Sequence, residues 1–195
     1  WRRAEEIVSS QGIGTPYFVS DVIVETYEHL PRWYRETTKG GGAIQLQAHH
    51  VFDRLAWLLK SEPAEIACRL TRPSDEAELA ASVLAVYPPG INVAITVALS
   101  DGYEAQPRTL FVMQGDEGMI EIDGSRTLRH TTAHGTSVET FSDDDWLESE
   151  LAGFARAVLD GDTDFPGIDE GRAALVCALA AYRASESNEW VRPGE

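Results

Sequence analysis

GGGAIQLQAHHVFDRLAWLLK, residues 40–60, joins three glycines to a segment with the period of an α-helix. Its apolar residues recur at intervals of three and four, and at 100° per residue they fall within an arc of about 120°. They are Ile44, Ala48, Val51, Phe52, Leu55, Leu58 and Leu59. This pattern predicts a helix that packs one stripe against the hydrophobic core.

The opposite face of the predicted helix carries Leu46, His50, Asp53 and Trp57. A helix that lies simply on a sheet has solvated residues there, so a Leu and a Trp require a second covering surface. Because His50 lies between them, we expect this surface to be a reaction site. Asp53 is placed to orient the imidazole or to cap a local network.

The same stretch resembles the start of the C-terminal domain of the Gfo/Idh/MocA oxidoreductases, the relatives of glucose-fructose oxidoreductase and inositol dehydrogenase. The likeness rests on GGG, on His50 at the eighth residue after the last glycine, on Asp53 three residues later and on a WLL ending. Three further segments match the family in the same order: SSQGIGTPYFVSD, QGDEGMIEIDG and AALVCALAAYRASESNEWVRP. The resemblance therefore covers nearly the whole chain.

The resemblance implies a division of the chain near residue 15. Residues 1–15 would end a helix that links a missing N-terminal nucleotide-binding domain. Residues 16–195 would form a C-terminal substrate-binding and oligomerisation domain with a dihydrodipicolinate reductase-like fold. The residues agree, because WRRAEEIVSS has the pattern of a helix end that Gly12, Gly14 and Pro16 stop.

The cofactor that the resemblance implies is NAD or NADP, bound mainly by the missing domain through residues that this chain leaves unknown. A GxGxxG turn between a strand and a helix, which binds the pyrophosphate, does not occur in the sequence. GGGA follows a polar loop instead, and we expect it to permit a close approach at a helix N-terminus. The fragment alone is expected to be inactive.

The remaining segments predict an α+β fold. Strand-like patterns occur in YFVSDVIVETYE, AEIACRLT, LAASVLAVY, NVAITVALS, TLFVMQ and MIEID, the last two forming a hairpin. One irregular strand is expected between Ser125 and Phe141, and helices are expected after a capping box from Ser142 to Asp145 and from Asp169 to Ser185. We expect an open, mostly antiparallel sheet of four to seven strands, covered on one face by three helices.

The uncovered sheet face is predicted to mediate association. NVAITVALS places Asn92, Ala94, Thr96, Ala98 and Ser100 on one side. Small, weakly polar residues there suit contact with another subunit, although plain solvent exposure fits nearly as well. With the other strands, this favours a homo-oligomer formed through the open sheet face.

His50 is the candidate catalytic residue. Oxidation of a sugar or polyol C–H by hydride transfer requires a base for the hydroxyl proton, and histidine titrates near neutral pH. The resemblance places His50 at the family's histidine, but Leu46 stands where many members carry an aspartate. Gln47 keeps hydrogen-bonding capacity and is predicted to bind substrate. A structural His50, or a member that has lost activity, remains the alternative, and His49 is expected to be structural or exposed.

The loop from His29 to Lys39 is aromatic and basic and leads into the glycines. Trp33, Tyr34 and Arg35 are predicted to bind substrate if this loop is a lid over the cleft. The alternative is a surface loop tucked over the core.

Composition excludes several function classes. A net charge of −16, from 16 basic and 32 acidic residues, disfavours nucleic acid and anionic membranes as partners. No apolar run approaches the roughly 18 residues of a membrane span. Cys68 and Cys177 are not in a CxxC pair, which fits the cytoplasm, and His130 and His134 have no nearby ligands for a metal.

Two functions follow from these observations. The first is the substrate-side domain of an NAD(P)-dependent oxidoreductase that acts on a small-molecule sugar, inositol or related polyol. The second is a non-catalytic ligand-binding or dimerisation module of the same fold, which the apolar Leu46 would suit. A hydrolase is not indicated, because the sequence shows no paired carboxylates and no nucleophile with its base.

Overall fold

A computed structural model describes residues 1–26, 31–72, 76–100, 106–124, 126–142, 146–161 and 166–195. Within these ranges the chain forms eight strands and four α-helices. The strands are β1 (Pro16–Thr26), β2 (Glu65–Thr71), β3 (Ala80–Tyr87), β4 (Ile91–Ser100), β5 (Arg108–Gly115), β6 (Gly118–Asp123), β7 (Thr127–Thr132) and β8 (Gly135–Thr140). The helices are α1 (Arg2–Ser9), α2 (His49–Leu59), α3 (Trp146–Asp160) and α4 (Ile168–Ser187). Short 3₁₀ turns at Arg32–Arg35 and Thr37–Lys39 lead to a π-helical turn at Ile44–Ala48.

All eight strands belong to one open sheet in the order β2-β3-β4-β1-β5-β6-β7-β8. β1 runs parallel to β4, and every other neighbouring pair is antiparallel. The predicted α+β fold with a mostly antiparallel open sheet is confirmed. β1 begins at Pro16, where the sequence division falls, while the linking role of residues 1–15 stays a prediction.

The prediction of four to seven strands was wrong, because the described residues form eight. The three predicted helices correspond to α2, α3 and α4, and the helix end expected near the start of the chain corresponds to α1. The segment expected to hold one irregular strand, from Ser125 to Phe141, forms the hairpin β7–β8. This hairpin is mostly polar, with few inward apolar residues beyond Leu128, so it lacks the alternation that marks a half-buried strand. Most of the predicted capping box from Ser142 to Asp145 lies outside the described residues, as does the start of the His29–Lys39 loop.

Helices cover one face of the sheet, as predicted. α2 and α4 contact each other, and α4 also packs on β2. Inward side chains of the central strands, including Val19, Ile95 and Phe111, are fully or almost fully buried beneath this layer. Among the described residues, no helix combines the length and apolar character needed to cross a membrane.

The predicted core stripe of the central helix is confirmed for six of its seven residues, Leu59 being only partly buried. The row predicted on the opposite face was partly wrong, because Leu46 packs against the core. The prediction of that row assumed 3.6 residues per turn along the whole segment. The first turn, Ile44–Ala48, is π-helical and wider, so the α-helical register does not extend back to Leu46.

The start of this helix is fastened by Glu78, a carboxylate with no exposed surface. Its Oε1 accepts the Ile44 N–H at 3.1 Å and the Tyr182 hydroxyl at 2.7 Å. Gly42, at φ +111°, lies so close that an added Cβ would be 2.5 Å from the carboxylate. The expected close approach at a helix N-terminus is therefore present. A negative charge there also complements the helix dipole.

Glu78→Ala is expected to destabilise the protein by about 2–4 kcal/mol, because it removes the acceptor of the buried Ile44 N–H and the hydrogen bond from the Tyr182 hydroxyl. Tyr182→Phe removes only the hydrogen bond from the Tyr182 hydroxyl to Glu78 and keeps the one from Ile44, so it should cost less, about 1 kcal/mol. Glu186→Gln, at an exposed position of α4, is the control and should be neutral. The measurement is the urea midpoint of each variant. A midpoint for Glu78→Ala equal to that of the control would contradict the anchoring role.

Candidate cleft beside helix α2

A cleft with a volume of about 1370 Å³ opens between the polar face of α2 and the ends of several other elements. α2 and the turn before it contribute Gln47, His50, Asp53, Arg54 and Trp57 to its wall. The other described lining residues are Trp1, Arg2, Ile23, Glu25, Pro107, Thr109, Asp123, Gly124, Arg126, Ser149, Glu150, Gly153, Pro166 and Glu170. The predicted second surface opposite Trp57 is thus an open cleft, into which His50 faces.

His50 and its neighbour His49 form a pair of imidazoles in this wall. Their ring centroids are 3.8 Å apart, with an interplanar angle of 38°. Desolvation by the surrounding protein lowers the pKa of His50, and the positive charge of Arg54 lowers it further. Desolvation, followed by repulsion from His50, also lowers the pKa of His49. Both shifts favour neutral rings, which can accept a proton near neutral pH.

Asp53 lines the same cleft, yet in the described part of the chain no hydrogen bond joins it to His50. Burial raises the pKa of Asp53, and the nearby Glu170 adds to that rise. The charges that oppose this rise are those of His49, one helical turn away, and of Arg54, rather than that of His50. Asp53 therefore acts electrostatically on His49, and its predicted role in orienting His50 stays a prediction.

Arg54 is fixed in the wall by contacts on two sides. Its guanidinium forms an ion pair with Asp21, an inward residue of β1 that has no exposed surface. The cation also lies 4.1 Å from the centre of the Trp1 ring, which packs edge-on against Phe111. Burial raises the pKa of Asp21, and Arg54 partly offsets this by favouring the carboxylate.

Sequence reasoning missed this ion pair, although one signal was available. Asp21 has the same parity in β1 as Val19 and Ile23, both of which are buried. An acidic residue among inward apolar positions requires a partner, because an unpaired buried charge is costly. The cationic candidate on the facing helix was Arg54.

The structure brings together only some of the predicted site residues. Gln47 lines the cleft with His50, whereas Trp33, Tyr34 and Arg35 do not. The Trp33 and Tyr34 rings stack on each other at 4.0 Å, and the Tyr34 carbonyl accepts the Gly42 N–H at 3.1 Å. This segment supports the glycine turn, as the tucked-loop interpretation expects. Its substrate-binding role stays a prediction.

The glycine run does not offer a phosphate site. A helix N-terminus binds phosphate when its N–H groups face an open space. Here the Ile44 N–H is occupied by the Glu78 carboxylate, and the Ala43 N–H donates to the Glu78 carbonyl at 3.0 Å. In the described residues no group of three or more histidine, cysteine or acidic side chains is arranged to hold a metal ion.

The fold is that of solved oxidoreductases at low sequence identity. Levoglucosan dehydrogenase in complex with NADH and levoglucosan matches with a TM-score of 0.85 and 14% identity, over 98% of this chain and 62% of that one. An oxidoreductase domain protein from Kribbella flavida matches with a TM-score of 0.85 and 16% identity, over 100% of this chain and 62% of that one. Aldose-aldose oxidoreductase from Caulobacter crescentus, complexed with glycerol, matches with a TM-score of 0.83 and 18% identity, over 97% of this chain and 59% of that one. The chain thus spans about three fifths of these proteins.

The family is established by sequence. The chain belongs to the GFO/IDH/MocA C-terminal domain family, whose model matches residues 1–121. The matched range includes His50, Gln47 and Arg54, and the resemblance seen in the glycine–histidine stretch is confirmed. No curated protein matches the chain by sequence.

The lowered pKa values of the two histidines predict a pH-dependent stability. Unfolded histidine takes up a proton near pH 6.5, whereas the folded rings resist it, so stability falls as the pH drops below about 6.5 and through the folded-state pKa. His49→Gln and His50→Gln should each lose less stability than the wild type between pH 7.5 and pH 5.5. Gln47→Ala, a non-titrating change in the same cleft, should keep the wild-type dependence. Urea midpoints across this range test the expectation, which an identical slope in all four proteins would contradict.

Proposed function

We propose that this chain is the substrate-side domain of an NAD(P)-dependent oxidoreductase that acts on a sugar, inositol or related polyol. The observation that carries the proposal is His50, a histidine with a lowered pKa in the wall of a large cleft. The fold is one found in such enzymes. The family membership supports it. The levoglucosan and glycerol complexes of the structural relatives support a small hydroxylated substrate.

In the proposed reaction His50 accepts the proton of a substrate hydroxyl as the carbon beneath it loses a hydride. The nicotinamide, held by a separate domain, would take that hydride, and the substrate would leave as the carbonyl compound. The lowered pKa of His50 keeps its imidazole neutral at the start of the step. Gln47, in the same wall, is placed to hydrogen-bond a hydroxyl. The apolar Leu46 packs on the core and cannot relay the proton.

The chain by itself is proposed to be inactive, because its glycine turn is occupied by Glu78 and offers no pyrophosphate site.

Cys68 and Cys177 are buried free thiols, and burial raises the pKa of each to about 12. Two unreactive, unpaired thiols suit the proposed cytoplasmic location.

A non-catalytic ligand-binding or dimerisation module of the same fold is the second candidate. The packing of Leu46 in the core favours it, because no carboxylate stands one turn before His50. The two candidates differ in what the loss of His50 does to turnover.

His50→Ala in the full-length protein is expected to lower kcat/KM for a polyol substrate by about 10²- to 10⁴-fold, since the general base is lost. The melting temperature should change little, because His50 is an exposed residue of the cleft wall. His134→Ala, on the exposed β7–β8 turn, is the matched control and should keep full activity. Kinetics with NAD or NADP and a panel of sugars and polyols provide the measurement. Unchanged activity and pH profile in His50→Ala would favour the non-catalytic module.

The uncovered sheet face is the proposed oligomer interface, with a second copy of the chain as the partner. Its strands place Ala67, Leu84, Ala94, Ser20 and Val112 side by side in one row across β2, β3, β4, β1 and β5. Leu84 is 53% exposed in the single chain. A broad face of small and apolar side chains in a continuous sheet suits a symmetric contact.

The open face also has a polar border, which favours a defined interface. Arg129 and Glu121 form an ion pair at 2.6 Å on β7 and β6, at the end of the Leu84 row. An apolar centre with a charged rim is the usual arrangement of a protein–protein contact.

Leu84→Lys in the full-length protein should weaken association at least about tenfold, because it places like charges in a twofold contact. The change should leave the fold intact, since the side chain is already exposed in the single chain. Leu175→Lys, at a position 46% exposed on α4, makes the same change on the helix layer and should keep the oligomer. Light scattering after size exclusion gives the mass of each protein. A wild-type monomer at micromolar concentration would exclude the proposed interface.

A further inference from the structure

The cleft presents an electrostatic difficulty for a histidine base. The chain carries a net charge of −16. The described cleft wall contains five carboxylates and three arginines: Glu25, Asp53, Asp123, Glu150 and Glu170, with Arg2, Arg54 and Arg126. Negative surroundings favour the charged form of histidine, and an imidazolium cannot accept a proton. Desolvation favours the neutral ring, and a local positive charge adds to that effect against the acidic wall.

Arg54 has the position to supply that charge. It follows His50 by four residues in α2, so the two side chains lie on the same helix face, and both line the cleft. Asp21, its partner, is not among the lining residues and is fully buried beneath. The cationic member of the pair is thus the one that faces the histidine.

Arg54 is also held more firmly than an ordinary surface arginine. Its side chain is 15% exposed and its guanidinium is enclosed between the Asp21 carboxylate and the Trp1 ring. A cation so enclosed cannot turn towards the acidic groups across the cleft without leaving the Asp21 charge unpaired in the core, which is strongly unfavourable. Its field therefore acts on the helix face at a fixed position.

We propose that Arg54 is an electrostatic positioning residue for the His50 base: clamped by Asp21 and Trp1, it disfavours a second positive charge on the same helix face and so keeps the imidazole free to accept a proton. The proposal deepens the proposed function and rests on it. Arg54 acts through His50 and is assigned no contact with the substrate.

The other charged and titratable groups around His50 line the same cleft or lie on the same helix. Those on its own helix are His49 and Asp53. Those on other elements are Arg2, Glu25, Asp123, Arg126, Glu150 and Glu170. Most of them are acidic, and a negative charge opposes the effect of Arg54 on a histidine. The pKa of His50 is nevertheless lowered, by desolvation first and by Arg54 second.

The test removes the charge of Arg54 without stranding Asp21. In D21N/R54Q both members of the pair become neutral and can still hydrogen-bond. In D21L/R54M an apolar pair replaces them, a change that buried ion pairs often tolerate. Arg54→Lys retains the positive charge. Arg129→Gln removes a paired arginine on β7, away from the cleft, and is the matched control.

The readout is the pKa of the His50 imidazole in the full-length protein, followed by NMR with ¹³C-labelled histidine and assigned by the loss of its signal in His50→Gln. Both double variants should raise this pKa by about 0.5 to 1 unit, because they remove the Arg54 charge one helical turn away, while the Asp21 charge lost with it does not line the cleft. Arg54→Lys and Arg129→Gln should stay within about 0.3 units of the wild type. If one double variant does not fold, the other decides.

An unchanged or lower pKa in the double variants, or an equal rise in Arg129→Gln, would overturn the proposal. Kinetics separate this outcome from a failure of the proposed function. With both correct, the acid limb of kcat/KM moves to higher pH by the same amount as the NMR value. If the NMR shift occurs while His50→Ala keeps full activity, the electrostatic coupling stands and the catalytic role of His50 falls.

Discussion

A buried carboxylate at the beginning of a helix is the contact from which the cleft is built. Glu78 comes from the segment before β3 and accepts the first free N–H of the turn that leads into α2. The same oxygen binds Tyr182 of α4, so one acidic group joins the sheet, the central helix and the last helix. Gly42 is the residue that lets the backbone come this close. This junction fixes the start of α2 and so contributes to the orientation of His50.

A second buried carboxylate fastens the same helix further along. Asp21 reaches Arg54 from the central strand, ten residues after the Ile44 anchor. His50 lies between the two attachment points. Glu78 meets neutral donors, whereas Asp21 meets a cation, so the first contact orients the helix and the second also fixes a charge on it. In the proposed reaction, a side chain held in this way would need little reorganisation.

Much of this arrangement could be predicted from the sequence, for physical reasons. The stripe from Ile44 to Leu58 has a period that only a helix on a core satisfies. Val93, Ile95 and Val97 alternate as a half-buried strand should, and β4 is one. The family resemblance added the order of the elements. His50 could be assigned to the cleft side, because the core stripe left that side unexplained.

The missed features depend on contacts that local patterns do not contain. Glu78 lies in a polar run that reads as a turn, and its burial depends on Tyr182, 104 residues away. β7–β8 pairs polar strands whose register only the neighbouring sheet defines. The turn at Ile44–Ala48 is wider than an α-helical turn, and a sequence pattern with a period of 3.6 cannot reveal it.

That wider turn has a consequence for how this segment tolerates change in length. A π-helical turn contains about one residue more than an α-helical turn. The segment between Ile44, which Glu78 anchors, and His50 therefore contains about one residue more than an α-helix of the same length would. A shortening by one residue would convert the turn to ordinary α-helix while the anchor and the imidazole keep their places, whereas an insertion would have to displace one of them. The number of residues in this segment, as much as their identity, sets the position of His50.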